Sequence, residues 1–230
     1  DPVEKKPLAR FMPGKRVLSA GSYGCNMNCA FCQNDSISRA EAESVPWRYI
    51  APDELAAMAK ARRADGNIGA AFTYNEPMVG WEYVRDAGAA VKAQGMANVV
   101  VTNGAVSGTA LEAVLPYIDA FNIDLKCFTP EGYRRLGGDI EMVLSFITAA
   151  AKSAHVELTT LIVPGENDSV SEITELASWV ASLDRKIPLH ITRFFPRSRY
   201  SDRQPTPVAT LYKLADAART KLDTVLVGNV

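Results

Sequence analysis

Gly24-Cys25-Asn26-Met27-Asn28-Cys29-Ala30-Phe31-Cys32-Gln33-Asn34 holds three of the four cysteines, spaced C-x3-C-x2-C. Thiolates are soft ligands that suit iron clusters, zinc or copper. Three close cysteines can hold three irons of a [4Fe–4S] cube and leave the fourth iron open. Iron–sulfur proteins usually supply four cysteines, and the remaining one, Cys127, lies far along the chain. An open iron binds something other than protein. A structural zinc site is the rival reading, but it wants four closed ligands. His155 and His190 are the only histidines, and neither is near the cysteines in sequence. A disulfide scaffold is disfavoured, because four cysteines in 230 residues are too few and no signal peptide is visible.

The length suits one domain with a sizeable core. Hydrophobic residues make up 47% and charged residues 22%, as in an ordinary globular chain. A net charge of −1 gives no electrostatic argument for nucleic acid or anionic membrane. No apolar run is long enough to span a bilayer. The sequence opens at Asp1 rather than a methionine, so further segments at its ends stay open. Reduced thiols and an oxygen-sensitive open iron point to a reducing cytoplasm.

Outward from the cysteines, the chain alternates between strand and helix signals. Residues 1–14 hold three prolines and mixed charge, and read as an extended lead-in covering one end of the fold. Residues 15–230 read as the core domain. Strands are expected at 15–20, 67–73, 97–101, 120–126, 156–163, 188–194 and 224–227. Residues 35–50 are polar and irregular, with room for one short helix. Helices are expected from Pro52, whose ring and following acids suit a first turn, and at about 78–94, 108–117, 130–135, 139–153 and 206–221. Ser169-x-x-Glu172 reads as a capping box before a helix with Ile173, Leu176, Ala177 and Val180 on one face. Six β-α units with Val- and Ile-rich strands predict a parallel sheet covered on both faces. The expected fold is α/β, a partial (β/α)6 barrel; a doubly wound open sheet is the alternative.

Every distinctive motif falls at the C-terminal end of an expected strand, the edge where parallel α/β folds build active sites. The cysteine loop follows the first strand. Tyr74-Asn75-Glu76-Pro77 follows the second, Thr102-Asn103-Gly104 the third, Asp124-x-Lys126 the fourth, Val163-Pro164-Gly165 the fifth, and His190-x-x-Arg193 the sixth. Asp124 and Lys126 alternate along a strand, so they share a face. They form a structural ion pair or hold a polar ligand. Glu76 is a ligand-binding acid or a helix-start acid before Pro77. Arg193 is a candidate for carboxylate contact. His190 reads as a core histidine, and Cys127 as a small hydrophobe with a thiol role left open.

The cysteine spacing, with the aromatic Phe31 before the third cysteine, resembles the signature of the radical S-adenosylmethionine (radical SAM) superfamily. The resemblance implies the barrel of that type, a [4Fe–4S] cluster on Cys25, Cys29 and Cys32, and SAM bound to the open iron. It implies reductive cleavage of SAM and hydrogen abstraction by the resulting 5′-deoxyadenosyl radical. It implies SAM contacts from Phe31, Tyr74, Asn75, Glu76, Thr102, Asn103, Asp124, Lys126 and Arg193. Glu76-Pro77 resembles a Gly-Gly-Glu-Pro type motif, with Tyr74 and Asn75 standing in place of the glycines. Val101 stands where activases of glycyl radical enzymes often carry Asp, so an acid-held monovalent cation site is not carried over.

Over the whole chain, DPVEKKPL, GSYGCNMNCAFCQN, FTYNEP, FNIDLKCF, LIVPGEND, HITRFFP and GNV resemble the AmmeMemoRadiSam-system radical SAM family. That family is similar to pyruvate formate-lyase activating enzymes. The extra cysteine segments of longer members are absent here, so a second metal site of that kind is not expected. The resemblance implies a flavodoxin- or ferredoxin-like electron donor. It leaves the substrate open between a protein backbone loop and a small molecule. A non-catalytic iron–sulfur or zinc protein is the reading from a different class.

Overall fold

The computed structural model describes residues 1–230. Seven strands form one sheet: β1 (Arg16–Ala20), β2 (Asn67–Phe72), β3 (Ala97–Thr102), β4 (Ala120–Asp124), β5 (His155–Ile162), β6 (Leu189–Arg193) and β7 (Val225–Gly228). Helices are α1 (Asp35–Ser38), α2 (Pro52–Ala61), α3 (Trp81–Ala93), α4 (Gly108–Val114), α5 (Pro130–Arg135), α6 (Ile140–Ala150), α7 (Val170–Leu183) and α8 (Val208–Arg219). Each strand pairs in parallel with the next, in the order β1 to β7. A doubly wound sheet would reverse its strand order part-way. The unbroken order excludes that alternative and gives the open, partial barrel.

Alternate strand residues join two different cores, as a period of two dictates. Ala70, Phe72, Val100, Phe121 and Ile123 point outward and pack with helix residues such as Leu55, Val84, Leu111 and Val143. Val17, Ala71, Val99 and Ala120 point inward and pack on Val3 and Leu8 of the lead-in. Toward the C-terminal edge the inward residues become polar. Thr73 follows Ala71, and Asn122 then Asp124 follow Ala120. The barrel is therefore apolar at its base and polar at its mouth.

The lead-in crosses this interior. Pro2 bridges Arg16 in antiparallel fashion, and Val3 and Leu8 are fully buried. The carboxylate of Glu157, inward on β5, accepts the N–H of Ala9 (3.0 Å) and of Arg10 (2.7 Å). His155 and His190 each place Nε2 on one of its oxygens, at 2.9 and 2.6 Å. Burial opposes ionisation of Glu157, but these hydrogen bonds outweigh it and hold the carboxyl down at about 2. His190 is thus a satisfied interior histidine.

Two local details differ from the sequence reading. Ser169 Oγ accepts the Glu172 N–H (3.2 Å), but the Glu172 carboxylate accepts from Phe128 N–H (2.7 Å) rather than closing a capping box. Its side chain ties α7 to the loop after β4. The fourth strand stops at Asp124, so Lys126 lies beyond it in the loop.

Candidate active site

A cavity of about 470 Å³ opens at the C-terminal edge of the sheet. It gathers Cys25, Cys29, Phe31 and Cys32 with Tyr74, Asn75 and Glu76 from the loop after β2. Thr102 and Asn103 join from the end of β3, and Asp124 and Lys126 from the end of β4. Eleven of the twelve residues expected there meet in one space. A broader depression at the opposite edge, beside Lys92, Asp119 and His155, holds none of the motifs.

The cysteine loop runs from β1 to α1 and is braced by backbone and amide contacts. Gly24 turns it with φ +89° and donates its N–H to Ile37 O (2.9 Å). The Asn28 N–H reaches Leu136 O at 2.7 Å, and Arg199 donates to Asn28 O at 2.6 Å. Asn75 accepts the Ser22 N–H (3.1 Å) and donates to Ser22 Oγ (2.8 Å) and Gly24 O (3.1 Å). Asn75 lines the cavity, but its amide is spent on holding the cysteine loop. Asn103 Nδ2 similarly binds Asn26 Oδ1 (2.9 Å) and lies 3.7 Å from Cys25 Sγ.

All four cysteines are free thiols. No group of three or more His, Cys, Asp or Glu is arranged around a point that one metal ion could occupy. Thiolates at the corners of an iron–sulfur cube stand farther apart than ligands of a single ion, and the three thiols border one cavity. The donor set fits such a cluster. Burial raises the Cys25 and Cys29 thiols above the ordinary range. The Met27 N–H at Cys25 (3.4 Å) and the Lys126 charge near Cys29 act the other way. A bound cation would complete their deprotonation.

Glu76 is buried, and three donors reach its carboxylate. Thr102 Oγ1 (2.6 Å) and Met78 N–H (3.0 Å) meet Oε1, and Asn103 N–H (2.7 Å) meets Oε2. Burial dominates these and pushes the carboxyl up to about 7. A carboxylate has about four acceptor positions, so one remains unused on this cavity-lining residue. Lys126 Nζ binds Asp124 Oδ2 at 2.8 Å. Burial presses the Lys126 ammonium down, but Asp124 and the Cys29 thiol outweigh this and keep it above its usual value. Its backbone is fixed by Tyr133 Oη (3.1 Å from N) and Asn167 Nδ2 (2.7 Å from O).

Tyr74 has φ +80°, a region that glycine enters without cost. This is the first of the two positions where Gly-Gly-Glu-Pro type motifs carry glycine. The tyrosine ring lies 4.4 Å from Lys6 Nζ, and its hydroxyl reaches Asp1 Oδ2 at 2.7 Å, joining the cavity to the lead-in.

Arg193 is not brought to the cavity. Its Nε donates to Thr206 O (2.8 Å) and its guanidinium lies over Phe195 at 4.9 Å. Successive strand residues face opposite ways, and Thr192 is the β6 residue that lines the space. Cys127 also lies off the cavity, against Gly132, and burial pushes its thiol up to about 11. Lys6, Asn122 and Thr159 line the cavity without having been expected there. Asn122 carried a signal, a polar residue between Phe121 and Ile123; Thr159 stood out less, because β5 also holds His155, Glu157 and Thr160. Lys6 carried none, because only the lead-in's path brings it here.

The family model for the radical SAM superfamily matches residues 20–179. The chain belongs to the radical SAM superfamily. An uncharacterized protein of Methanocaldococcus jannaschii is 37% identical over 234 residues, covering all of this chain and 68% of that protein. Among solved structures, a domain of the pyruvate-formate lyase-activating enzyme of Bacteroides vulgatus is similar. Its TM-score is 0.61 at 18% identity, over 70% of this chain and 99% of that one. Streptococcus suis SuiB bound to S-adenosylmethionine matches with TM-score 0.73 at 12% identity, over 93% of this chain and 50% of SuiB. This chain therefore spans about half the length of SuiB. At these identities the structures share the fold. As a radical SAM enzyme, the chain works with a [4Fe–4S] cluster and SAM. None of its helices is long and apolar enough to cross a membrane.

Proposed function

We propose that Cys25, Cys29 and Cys32 hold the cluster by three irons and that the rest of the cavity's motif residues hold SAM. The observation that carries this is the meeting of three thiols, one buried acid and one ion pair in a single cavity. Held there, the two groups would supply one-electron reductive cleavage of SAM, the source of a 5′-deoxyadenosyl radical. Glu76 would take the SAM ammonium on its free acceptor position, a charge-assisted hydrogen bond about twice as strong as a neutral one. Lys126 and Asp124, already fixed to each other, would offer a cation to the SAM carboxylate and an acceptor to the ribose hydroxyls. Phe31, buried on one side against Tyr200, and Thr102 would wall the site. Asn75 and Asn103 position the cysteine loop. Residues 15–230 form the catalytic core in this reading, and residues 1–14 close its interior.

The substrate proposed is a protein or peptide backbone, as for an activating-enzyme-like oxidoreductase in a reducing cytoplasm. The fold shared with an activating-enzyme domain and with SuiB, also solved bound to its precursor peptide, supports this direction. A second reading, a small polar molecule, is favoured by the closed inner end of the cavity, where Lys6, Asn122 and Thr159 lie. A flavodoxin- or ferredoxin-like donor would supply the electron. The test is anaerobic reconstitution with iron and sulfide, followed by incubation with deuterated candidate peptides and small molecules. Deuterium in 5′-deoxyadenosine from a peptide supports the first reading. Deuterium only from a small molecule supports the second.

A further inference from the structure

A cation at the inner end of the cavity has no part in the SAM site. Lys6 lines the cavity and is only 2% exposed. An ammonium has three protons to donate, and the protein meets one of them, at Asp1 Oδ2 (3.2 Å). The same oxygen accepts from Ser19 Oγ (2.8 Å) and Tyr74 Oη (2.7 Å), and Asp1 Oδ1 lies 3.6 Å from Lys5 Nζ. One carboxylate thus serves two ammonium groups and two hydroxyls, and Asp1, Lys5 and Lys6 together carry one surplus positive charge. The other carboxylates of the lead-in and the cavity wall are committed elsewhere. Exposed Glu4 accepts the Gly14 N–H, and Asp124 pairs with Lys126. Glu157 serves two histidines and two N–H groups, and Glu76 accepts from Thr102, Asn103 and Met78. Thr73 adds a second donor. It is buried and lines the same cavity, and its hydroxyl makes no hydrogen bond within the protein.

Tying the lead-in to the barrel accounts for the Asp1 bonds and for Tyr74, whose ring and hydroxyl rest on Lys6 and Asp1. It does not account for a buried ammonium with two unmet protons, or for a buried hydroxyl with no partner. Buried polar groups are normally hydrogen-bonded, and a buried charge needs a counter-charge. The base of the barrel is closed by fully buried Val3 and Leu8, so that counter-charge arrives through the mouth. The floor beside Lys6 is fixed: Asn122 Nδ2 donates to Pro7 O (2.9 Å) and to Thr159 Oγ1 (2.9 Å). We propose that Lys6 and Thr73 bind an anionic group of the substrate, a carboxylate or a phosphate, at the inner end of the cavity; this rests on the small-molecule reading given above. Anchored there, the rest of the substrate would extend toward the mouth, where Cys25, Cys29 and Cys32 stand.

The experiment uses the reconstituted protein with its cluster oxidised and SAM in excess, so that the SAM contacts are already occupied. Inorganic phosphate, malonate and neutral malonamide are titrated by calorimetry into the parent, Lys6→Gln, Thr73→Val and a control of equal charge change on the exposed lead-in, Lys15→Gln. The parent should bind at least one anion and not malonamide. Lys6→Gln should bind that anion at least about tenfold more weakly, because a hydrogen bond from a charged donor is lost. Thr73→Val, which keeps the shape and the charge, should bind it several-fold more weakly, and Lys15→Gln should match the parent. A preference for phosphate points to a phosphate monoester as substrate, and a preference for malonate to a carboxylic acid. Binding of neither anion, binding of malonamide as tight as malonate, or affinities unchanged in both Lys6→Gln and Thr73→Val would overturn the proposal. So would an equal loss of SAM affinity in Lys6→Gln, which would give Lys6 to the SAM carboxylate. A deuterated neutral peptide that passes its label to 5′-deoxyadenosine as fast in Lys6→Gln as in the parent would return the cavity to the backbone reading. A parent that binds the anion but releases no 5′-deoxyadenosine with dithionite would sink the underlying reading and the substrate role with it, a failure distinct from loss of anion binding.

Discussion

Replacing Glu157 with leucine should loosen the lead-in and measurably destabilise the fold. Each Glu157 oxygen accepts one backbone N–H and one histidine: Arg10 and His155 on Oε1, Ala9 and His190 on Oε2. Leucine leaves all four donors without a partner. A buried orphan donor costs about 1–3 kcal/mol, and breaking a buried charged network about 3–5 kcal/mol. Only His190 among the donors is buried; Ala9 and His155 are half-buried and Arg10 is exposed, so water compensates in part. The expected loss is about 2–4 kcal/mol. Linkage gives a similar size. A carboxyl moved from 4.5 to about 2 on folding contributes about 3 kcal/mol at neutral pH. The folded value is depressed, so this stability is present above pH 4.5 and lost as pH falls toward 2. Glutamine keeps one acceptor oxygen and should lose about half as much. Urea unfolding at pH 7 and pH 3, with hydrogen exchange at Ala9 and Arg10, measures all of this. A loss below about 1 kcal/mol, equal losses for leucine and glutamine, or a parent–variant gap as wide at pH 3 as at pH 7 would refute the reasoning.

The Glu76 carboxyl is raised to about 7, so its burial costs stability progressively as pH rises from 4.5 through 7. A ligand ammonium reverses that preference. SAM affinity, followed by calorimetry, should rise with pH toward about 7, approaching tenfold per pH unit well below it, and be flat in Glu76→Gln. A flat parent profile would refute the assignment. Gly69→Ala would set a Cβ 1.7 Å from Ala97 O, between paired β2 and β3, and should cost more than about 4 kcal/mol or abolish soluble protein. Gly80→Ala, with nothing within 4 Å, should unfold near the parent midpoint. Cys127→Ala should retain the parent's iron and sulfide content after reconstitution, because its thiol packs on Gly132 away from the cavity.

Much of this site was legible because a parallel α/β fold collects strand ends at one edge, so motif position alone placed Glu76, Thr102, Asp124 and Lys126. Arg193 was misassigned by its charge, although the alternation of His190 and Thr192 with Leu189 and Ile191 already marked the inward face. Asn75 read as a ligand contact because sequence does not reveal that its amide is occupied by Ser22 and Gly24. The Glu157 network joins residues 148 positions apart, and nothing local in either segment signals it. The role of Glu172 was half-visible: the spacing gave the cap at Ser169, but Phe128 competes for the carboxylate from outside the helix.

The most direct test is reductive SAM cleavage by the anaerobically reconstituted protein. With dithionite the parent should release 5′-deoxyadenosine, and Cys25→Ala, Cys29→Ala and Cys32→Ala should each release none while remaining folded. No product from a fully loaded parent, or product from Cys29→Ala at the parent's rate, would contradict the role proposed for this cavity.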